Sequence, residues 1–523
     1  MDVAVRRTPD VVVVGGGGSG AVLAARLSEE PDRRVVLLEA GAAPWGATGF
    51  GPELLDARRV PGAQPGHPAT VSHPVHLTDG RPWAVPRGYI LGGSTTVNGG
   101  YFVRARRADF DRWAAGGNPA WAYDRVLPFL RALERDLDLG GGELHGDRGP
   151  MRIRRTSLKH PAAIAFQKAA HALGFPAEPD KNDQAPPGFG PVPSNCVDGV
   201  RRNTALSYLT SDVLARPNLT VLGATRVRRV VIERGRATGV AIERSGTLTR
   251  LHSGAVVLSA GAFASAHLLQ LSGIGPRADL ERLGIPVVRD APAIGSRFSD
   301  HPQLVLDSRP YDDVSEPDDT WLGGCLHLNS ARVADGPGDL EILQSLVPMA
   351  GLMGGTTHVP GAPLSFLASA LTPRPTGRFR LTSADPDTPP HITYGYLSTP
   401  DDYARLRHAV RVTDALSRTP PLAVDATAGL PHPGPAVLDD DRALDAWIGA
   451  HLGTAQHTCG TVPMGSPDDP ERAAVDQYGR VHGVRGLRVA DTSILPDAPQ
   501  RGPAATAVLI GEVIADALRR ELE

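Results

Sequence analysis

The stretch Asp10-Val11-Val12-Val13-Val14-Gly15-Gly16-Gly17-Gly18-Ser19-Gly20 sets the terms for the rest of the chain. Four β-branched residues in a row make a fully buried strand, and the glycines after them make a tight turn into a helix over Ala21–Leu27. The spacing Gly15-x-Gly17-x-x-Gly20, with Gly18 and Ser19 between, lets backbone amides approach a pyrophosphate at the helix start, where the macrodipole favours anions. A second apolar strand, Val35–Leu38, ends in Glu39, which stands 19 positions after Gly20. That is close to the separation of about 20 at which a carboxylate accepts from the ribose hydroxyls of an adenosine. The same charge argues against a ribose 2′-phosphate, because two anions repel. Strand, helix, second strand and acid together read as a dinucleotide site.

The chain's 523 residues exceed what one small core needs, so two domains, interleaved in sequence, are expected. A net charge of −3 offers nothing to nucleic acid or to an anionic membrane surface. No run of apolar residues is long enough for an integral membrane segment, and residues 1–9 lack an apolar export segment, so a cytoplasmic location is expected. The three cysteines, Cys196, Cys325 and Cys459, are too few and too scattered for a disulfide framework or a Cys-x-x-Cys site, and no metal is expected.

Residues 42–78, rich in Gly, Pro and Ala, read as a long ordered loop or lid. Arg87-Gly88-Tyr89-Ile90-Leu91-Gly92-Gly93-Ser94-Thr95-Thr96-Val97-Asn98-Gly99-Gly100 then gathers glycines, hydroxyls and an amide, which suits a planar polar ring or a diphosphate. Helices are expected at 109–113, 123–137, 161–173 and 265–271, and antiparallel strands at 218–222, 226–233 and 238–243. Ala255–Leu258, followed by Ser259-Ala260-Gly261-Ala262, is a further buried strand ending in small residues. From about Pro302 the character changes to a separate antiparallel sheet, with strands at 341–347, 364–370, 378–383 and 391–394 and a helix over 400–417. The last 70 or so residues return to short strands and end in a helix over 504–522.

Four blocks, in this order and spacing, resemble the glucose-methanol-choline (GMC) family of flavin oxidoreductases over essentially the whole chain. They are the opening glycines with Glu39; Arg87 to Asn98; Ser259 to Ser265 with Leu271 to Pro276; and His457-Thr458-Cys459-Gly460 to Gly465 with Gly486 to Ser493. The resemblance implies an α/β chain. A Rossmann-like FAD-binding region covers 1–301, with partly loop-like insertions near 42–85 and 155–200. An interleaved antiparallel-sheet substrate domain covers 302–454, and a C-terminal return, 455–523, carries the catalytic histidine. It implies that Gly15, Gly17, Gly18, Ser19 and Gly20 hold the FAD pyrophosphate, Glu39 the adenosine ribose, and Val227 the adenine through its backbone. Arg87, Gly92, Gly93, Ser94, Thr95, Asn98 and Gly99 lie along the flavin, Ala260 and Gly261 border it, and Asp491 sits by the ribityl chain. Members with a covalent flavin carry a histidine just before the position of Asn98; here that residue is Val97, so non-covalent FAD is expected.

Alcohol oxidation by a flavin needs a base for the hydroxyl proton while hydride leaves the carbon. His457 occupies the family's catalytic histidine position. The second His or Asn that the family places opposite falls on Gly502, so that partner is missing. Arg501 is the expected substitute, a fixed cation for an alkoxide or a substrate carboxylate, unless it points outward or pairs with Asp497. Gly99 to Arg104 and Arg501-Gly502-Pro503 further resemble the family member that accompanies mycofactocin, a peptide-derived cofactor. On that reading the enzyme reoxidises reduced mycofactocin and passes electrons to a respiratory acceptor. The alternative is a choline-like or aromatic alcohol dehydrogenase or oxidase with a small-molecule substrate.

Overall fold

A computed structural model describes residues 7–308, 316–331, 333, 336–355, 362–371, 376–422 and 432–522. Val11–Val14 is the central strand of a five-stranded sheet, in the order Leu219–Leu222, Val35–Leu38, Val11–Val14, Ala255–Leu258, Leu487–Val489. Every pairing in it is parallel. The apolar runs therefore read correctly as strands covered on both faces. Strands from the start, middle and end of the chain share this one sheet, and the helix Ala504–Leu522 packs against Gly20–Leu27. Leu219–Leu222 is a correction: expected in an antiparallel group with the two strands after it, it pairs parallel with Val35–Leu38. The antiparallel pair Arg226–Glu233 and Arg236–Arg244 forms as expected, with Thr247–His252 as its third strand.

The second large sheet has six strands in the order Gly453–Thr454, Pro302–Ser308, Leu364–Ala370, Leu340–Ser345, Leu322–Leu328, Phe189–Pro191, all antiparallel. Its strands Leu322–Leu328, Leu340–Ser345 and Leu364–Ala370 are buried along their whole length, the latter two packing against the helix Pro400–Arg418 and the first against the helix Pro161–Ala172. Four of its strands, Gly453–Thr454, Pro302–Ser308, Leu322–Leu328 and Phe189–Pro191, had no sequence expectation; Gly323-Gly324 interrupts the apolar pattern of Leu322–Leu328. Arg378–Arg380 and His391–Thr393, expected in this sheet, instead pair with each other and join Thr70–Thr78 and Arg81–Gly88. Residues 42–78 are accordingly not one loop: they hold the short helices Gly46–Phe50 and Pro52–Leu55 and the first strand of that hairpin.

The helix expected over 123–137 ends at Leu133, and Glu134–Asp136 becomes a strand against Met151–Arg155. The cause is a buried charge cluster. Glu134 Oε1 and Asp136 Oδ2 lie 2.9 and 3.0 Å from His145 Nδ1, and Asp180 Oδ2 lies 2.8 Å from its Nε2. Only the extended backbone turns both acids toward the same partner. No helix among the described residues is long and apolar enough to cross a membrane.

Candidate active site

The two glycine-rich segments meet face to face. A Cβ added at Gly93 would stand 2.7 Å from the Gly17 Cα, and the Gly92 amide donates to the Gly16 carbonyl (2.8 Å). Gly15 has φ +96° and its Cβ position is filled by the Ser259 carbonyl, so this turn admits glycine alone. The helix Gly20–Leu27 starts without a side-chain cap and without an acid in its first turn, which leaves its N-terminus to an anion. Ser19 contributes main chain only at this turn, because its hydroxyl donates to the Ala507 carbonyl (2.6 Å).

Glu39 is buried, which pushes its carboxyl up, and it accepts from the Gly16 and Gly41 amides at 2.9 and 2.8 Å. Each carboxylate oxygen has a further lone pair for a ribose hydroxyl. Val227 lies close by, since the Thr225 amide donates to the Glu39 carbonyl (2.9 Å). The hydroxyls of Ser94, Thr95 and Thr96 are all engaged locally, with the Gly88 amide and the carbonyls of Gly92 and Leu91. Asn98 accepts from the Gly100 amide, and the Gly99 carbonyl accepts from Trp321 Nε1 (2.8 Å). Asp491 is a clamp: its carboxylate accepts from the Gly261 amide, the Ser265 hydroxyl and the Ser493 amide. The Ala260 amide donates to Ser265 Oγ. Glycines crowded where side chains would collide, an uncapped helix start and a buried carboxylate with spare acceptors fit FAD.

His457 follows the strand Gly453–Thr454, and Gln456 just before it has φ +64°, a left-handed conformation that non-glycine residues seldom adopt. Asp300 holds this strained loop. Its Oδ1 accepts from the His457 amide (2.8 Å), the His301 amide (2.7 Å) and the Thr454 hydroxyl (3.1 Å), and its Oδ2 from the Thr458 hydroxyl (2.7 Å). Arg87 donates to Thr458 Oγ1 (2.7 Å) and lies over the Phe263 ring. The histidine that sequence reasoning missed is His301, fully buried, whose Nδ1 lies 2.8 Å from His457 Nδ1. Burial pushes His457 down to about 4, with the Glu341 carboxylate pulling it up and Arg87 down. Burial and then His457 push His301 down to about 3. Two neutral rings sharing one proton are the result.

The space opposite His457 is at Gly502, as expected: a Cβ there would stand 3.3 Å from His457 Nε2 and 3.1 Å from Tyr101 Cδ1. Arg501 does not substitute in the way expected. It is wholly buried, and its guanidinium donates to the carbonyls of Gln500, Gly338 and Pro337 at 2.5, 3.1 and 3.0 Å. It neither points outward nor meets Asp497, which is held by Arg112 and Trp113. A guanidinium bound to three main-chain carbonyls braces the wall instead of offering a free cation to a substrate.

Residues 9–303 and 373–511 match the N- and C-terminal models of GMC oxidoreductase. The chain is 36% identical over 504 residues to an uncharacterized GMC-type oxidoreductase of Rhodococcus erythropolis, covering 94% of each. It is 34% identical over 528 residues to an oxygen-dependent choline dehydrogenase of Rhizobium rhizogenes, covering 94% of this chain and 92% of that one. The crystal structure of pyridoxine 4-oxidase from Mesorbium loti superposes with a TM-score of 0.86 at 28% identity, over 98% of this chain and 99% of that one. The chain belongs to the GMC oxidoreductase family and is an FAD-dependent oxidoreductase.

Proposed function

We propose that the protein oxidises a CH–OH group, with His457 Nε2 taking the hydroxyl proton. One observation carries this reading: His457 Nδ1 is engaged by His301 while Nε2 lies toward Gly502, 3.3 Å from where a Cβ would stand there. For Nε2 to hold a lone pair, Nδ1 must carry the ring proton and donate it to His301 Nδ1. His301 thereby fixes the tautomer, and it steadies the imidazolium formed when Nε2 is protonated. Asp300 sets the loop, and Arg87 anchors it through Thr458. FAD, when bound, supplies the hydride acceptor. The cradle Gly15–Gly20 holds its pyrophosphate and Glu39 its ribose, and Val97 offers no nucleophile for a flavin tether, so the FAD is held non-covalently.

The six-stranded sheet of residues 302–454, with Phe189–Pro191 at its edge, is the substrate-binding part, and 1–301 with 455–523 the FAD-binding part. The substrate is an alcohol. The three cysteines are buried and free, in keeping with a reducing, cytoplasmic setting. Anaerobic mixing of the holoenzyme with choline, pyridoxine, 5-(hydroxymethyl)furfural and benzyl alcohol tests the reading. Bleaching of the flavin by at least one of them, slowed in His457→Ala, is the expected result; equal bleaching in the variant overturns it.

A further inference from the structure

Behind the vacancy at Gly502 lies a buried polar chain that the reaction as described does not use. Tyr101 donates to Glu341 Oε2 (2.6 Å), and His327 Nε2 lies 3.1 Å from the same oxygen and 3.3 Å from the Tyr101 hydroxyl. His327 Nδ1 lies 3.2 Å from Lys181 Nζ, which donates to Glu178 Oε2 (2.6 Å). His327, Lys181 and Glu178 are completely buried, Glu341 nearly so, and Tyr101 alone is partly open. Strand register explains the assembly, because His327 stands directly opposite Glu341 on neighbouring strands, on one face of the six-stranded sheet.

The residue at 502 and Tyr101 compete for one volume. The position a Cβ would take at Gly502 is 3.1 and 3.2 Å from Tyr101 Cδ1 and Cε1, and 3.3 Å from His457 Nε2. A side chain at 502 therefore meets the edge of the phenol ring, and glycine there makes room for the tyrosine. We infer that the Tyr101 hydroxyl is the second polar group of the pocket, donating to the substrate oxygen opposite His457, and that Tyr101 and Gly502 are a matched pair. The inference rests on the reading of His457 as base.

The chain behind Tyr101 gives its proton the freedom this requires. Lys181 has donors only, so the His327 Nδ1 beside it accepts, and His327 Nε2 carries the ring proton toward Glu341 Oε2. Burial works to raise the Glu341 carboxyl, but the His327 contacts and the Tyr101 hydrogen bond hold it down to about 2, so it stays an anion. With His327 satisfying Oε2, the Tyr101 hydroxyl can turn from Glu341 to a substrate oxygen without leaving the carboxylate bare. Cys325 Sγ lies 3.7 Å from His327 Nε2, and Cys325, His327 and Glu341 have the spacing of a metal triad. The cations Lys181 and Arg501, which both act on His327, disfavour a divalent ion there, and burial keeps the Cys325 thiol protonated.

The test is a cycle of holoenzyme variants read in two ways. In thermal melting, Gly502→Asn destabilises the parent and costs less in the Tyr101→Ala background; an equal cost in both overturns the pairing. In anaerobic flavin reduction by the four alcohols named above, Tyr101→Phe slows reduction about 10- to 100-fold. The double variant Tyr101→Ala/Gly502→Asn then reduces faster than Tyr101→Ala alone. Wild-type rates in Tyr101→Phe, or no gain in the double variant, overturn the assignment. His457→Ala separates the two readings. If it is slow while Tyr101→Phe is unchanged, only the role of Tyr101 falls. If it is as fast as wild type, or no alcohol reduces the parent, the base assignment falls, and the melting cycle still decides the pair.

Discussion

The Nδ1 atoms of His301 and His457 lie 2.8 Å apart, His301 fully buried and His457 partly so, and one proton joins the two imidazoles. Replacing His457 with Ala should slow anaerobic flavin reduction by about 10²–10⁴-fold, the usual effect of losing a general base. His301→Ala should slow it less and leave FAD content unchanged, because on the proposed reading it removes the group that sets the tautomer and not the base. Stopped-flow reduction with absorbance measurement of bound flavin checks both.

The pH dependence follows from the direction of the His457 shift. On the proposed role of His457, the base works when neutral, and burial pushes its pKa down to about 4, so flavin reduction should be flat through neutral pH and fall only as pH approaches that value. Glu341→Gln removes the anion that raises His457, so the fall should move to lower pH. A step near pH 6.5, the unperturbed imidazole value, would contradict the burial argument.

Asp300 accepts four hydrogen bonds around the strained Gln456–His457 corner. Asp300→Ala leaves one buried and one part-buried amide and two hydroxyls short of their acceptor, at about 1–3 kcal/mol for each buried donor left unsatisfied. Denaturant unfolding should show a loss of several kcal/mol, and flavin reduction should fall with it as His457 loses its position.

FAD should be released into the supernatant on acid precipitation, because Val97 cannot tether it. Glu39→Ala should weaken FAD binding by about 1.5–3 kcal/mol through the lost charge-assisted ribose bond. It also unpairs the Gly16 and Gly41 amides, so the apoprotein should melt lower. Flavin retained after gel filtration, together with apoprotein melting, separates the two effects.

His145 should make stability fall in alkali. Burial works to lower its pKa, but hydrogen bonds to Asp136, Asp180 and Glu134 raise it to about 10. A histidine whose folded pKa lies above its unfolded value of 6.5 contributes stability fully below 6.5 and loses it as pH rises through 10. Asp180, lowered to about 2 from 3.8, contributes above 3.8 and loses that contribution as pH falls through 2. Denaturant midpoints at pH 6, 8 and 10.5 should decline in that order for the parent. His145→Gln, which leaves buried carboxylates short of a cation, should cost about 3–5 kcal/mol at pH 6 and flatten the decline.

Legibility in the sequence followed how local the physics was. Val11–Val14, Gly20–Leu27 and Ala504–Leu522 were readable because periodicity and glycine spacing act over a few residues. The hairpin of Thr70–Thr78 with Arg81–Gly88 was missed because Pro74, Pro82 and Pro86 and many exposed positions erase the alternation that marks a strand. Leu219–Leu222 looked antiparallel because its neighbours in sequence are. Its partner is Val35–Leu38, more than 180 positions away, and local pattern says nothing about the direction of a distant strand.

By itself, the sequence marked the glycine turn and Glu39 through residue types at fixed short spacing, and His457 and Gly502 through the resemblance to the family's motif blocks. Only the tertiary structure decided what surrounds that vacancy. His301 is brought to His457 across 156 positions, and Tyr101 to Glu341 across 240. Arg501, adjacent to Gly502 in sequence, turns away to bind main-chain carbonyls. The reason is that a buried polar group must find its partners in three dimensions: sheet register and loop packing choose them, and chain neighbours do not.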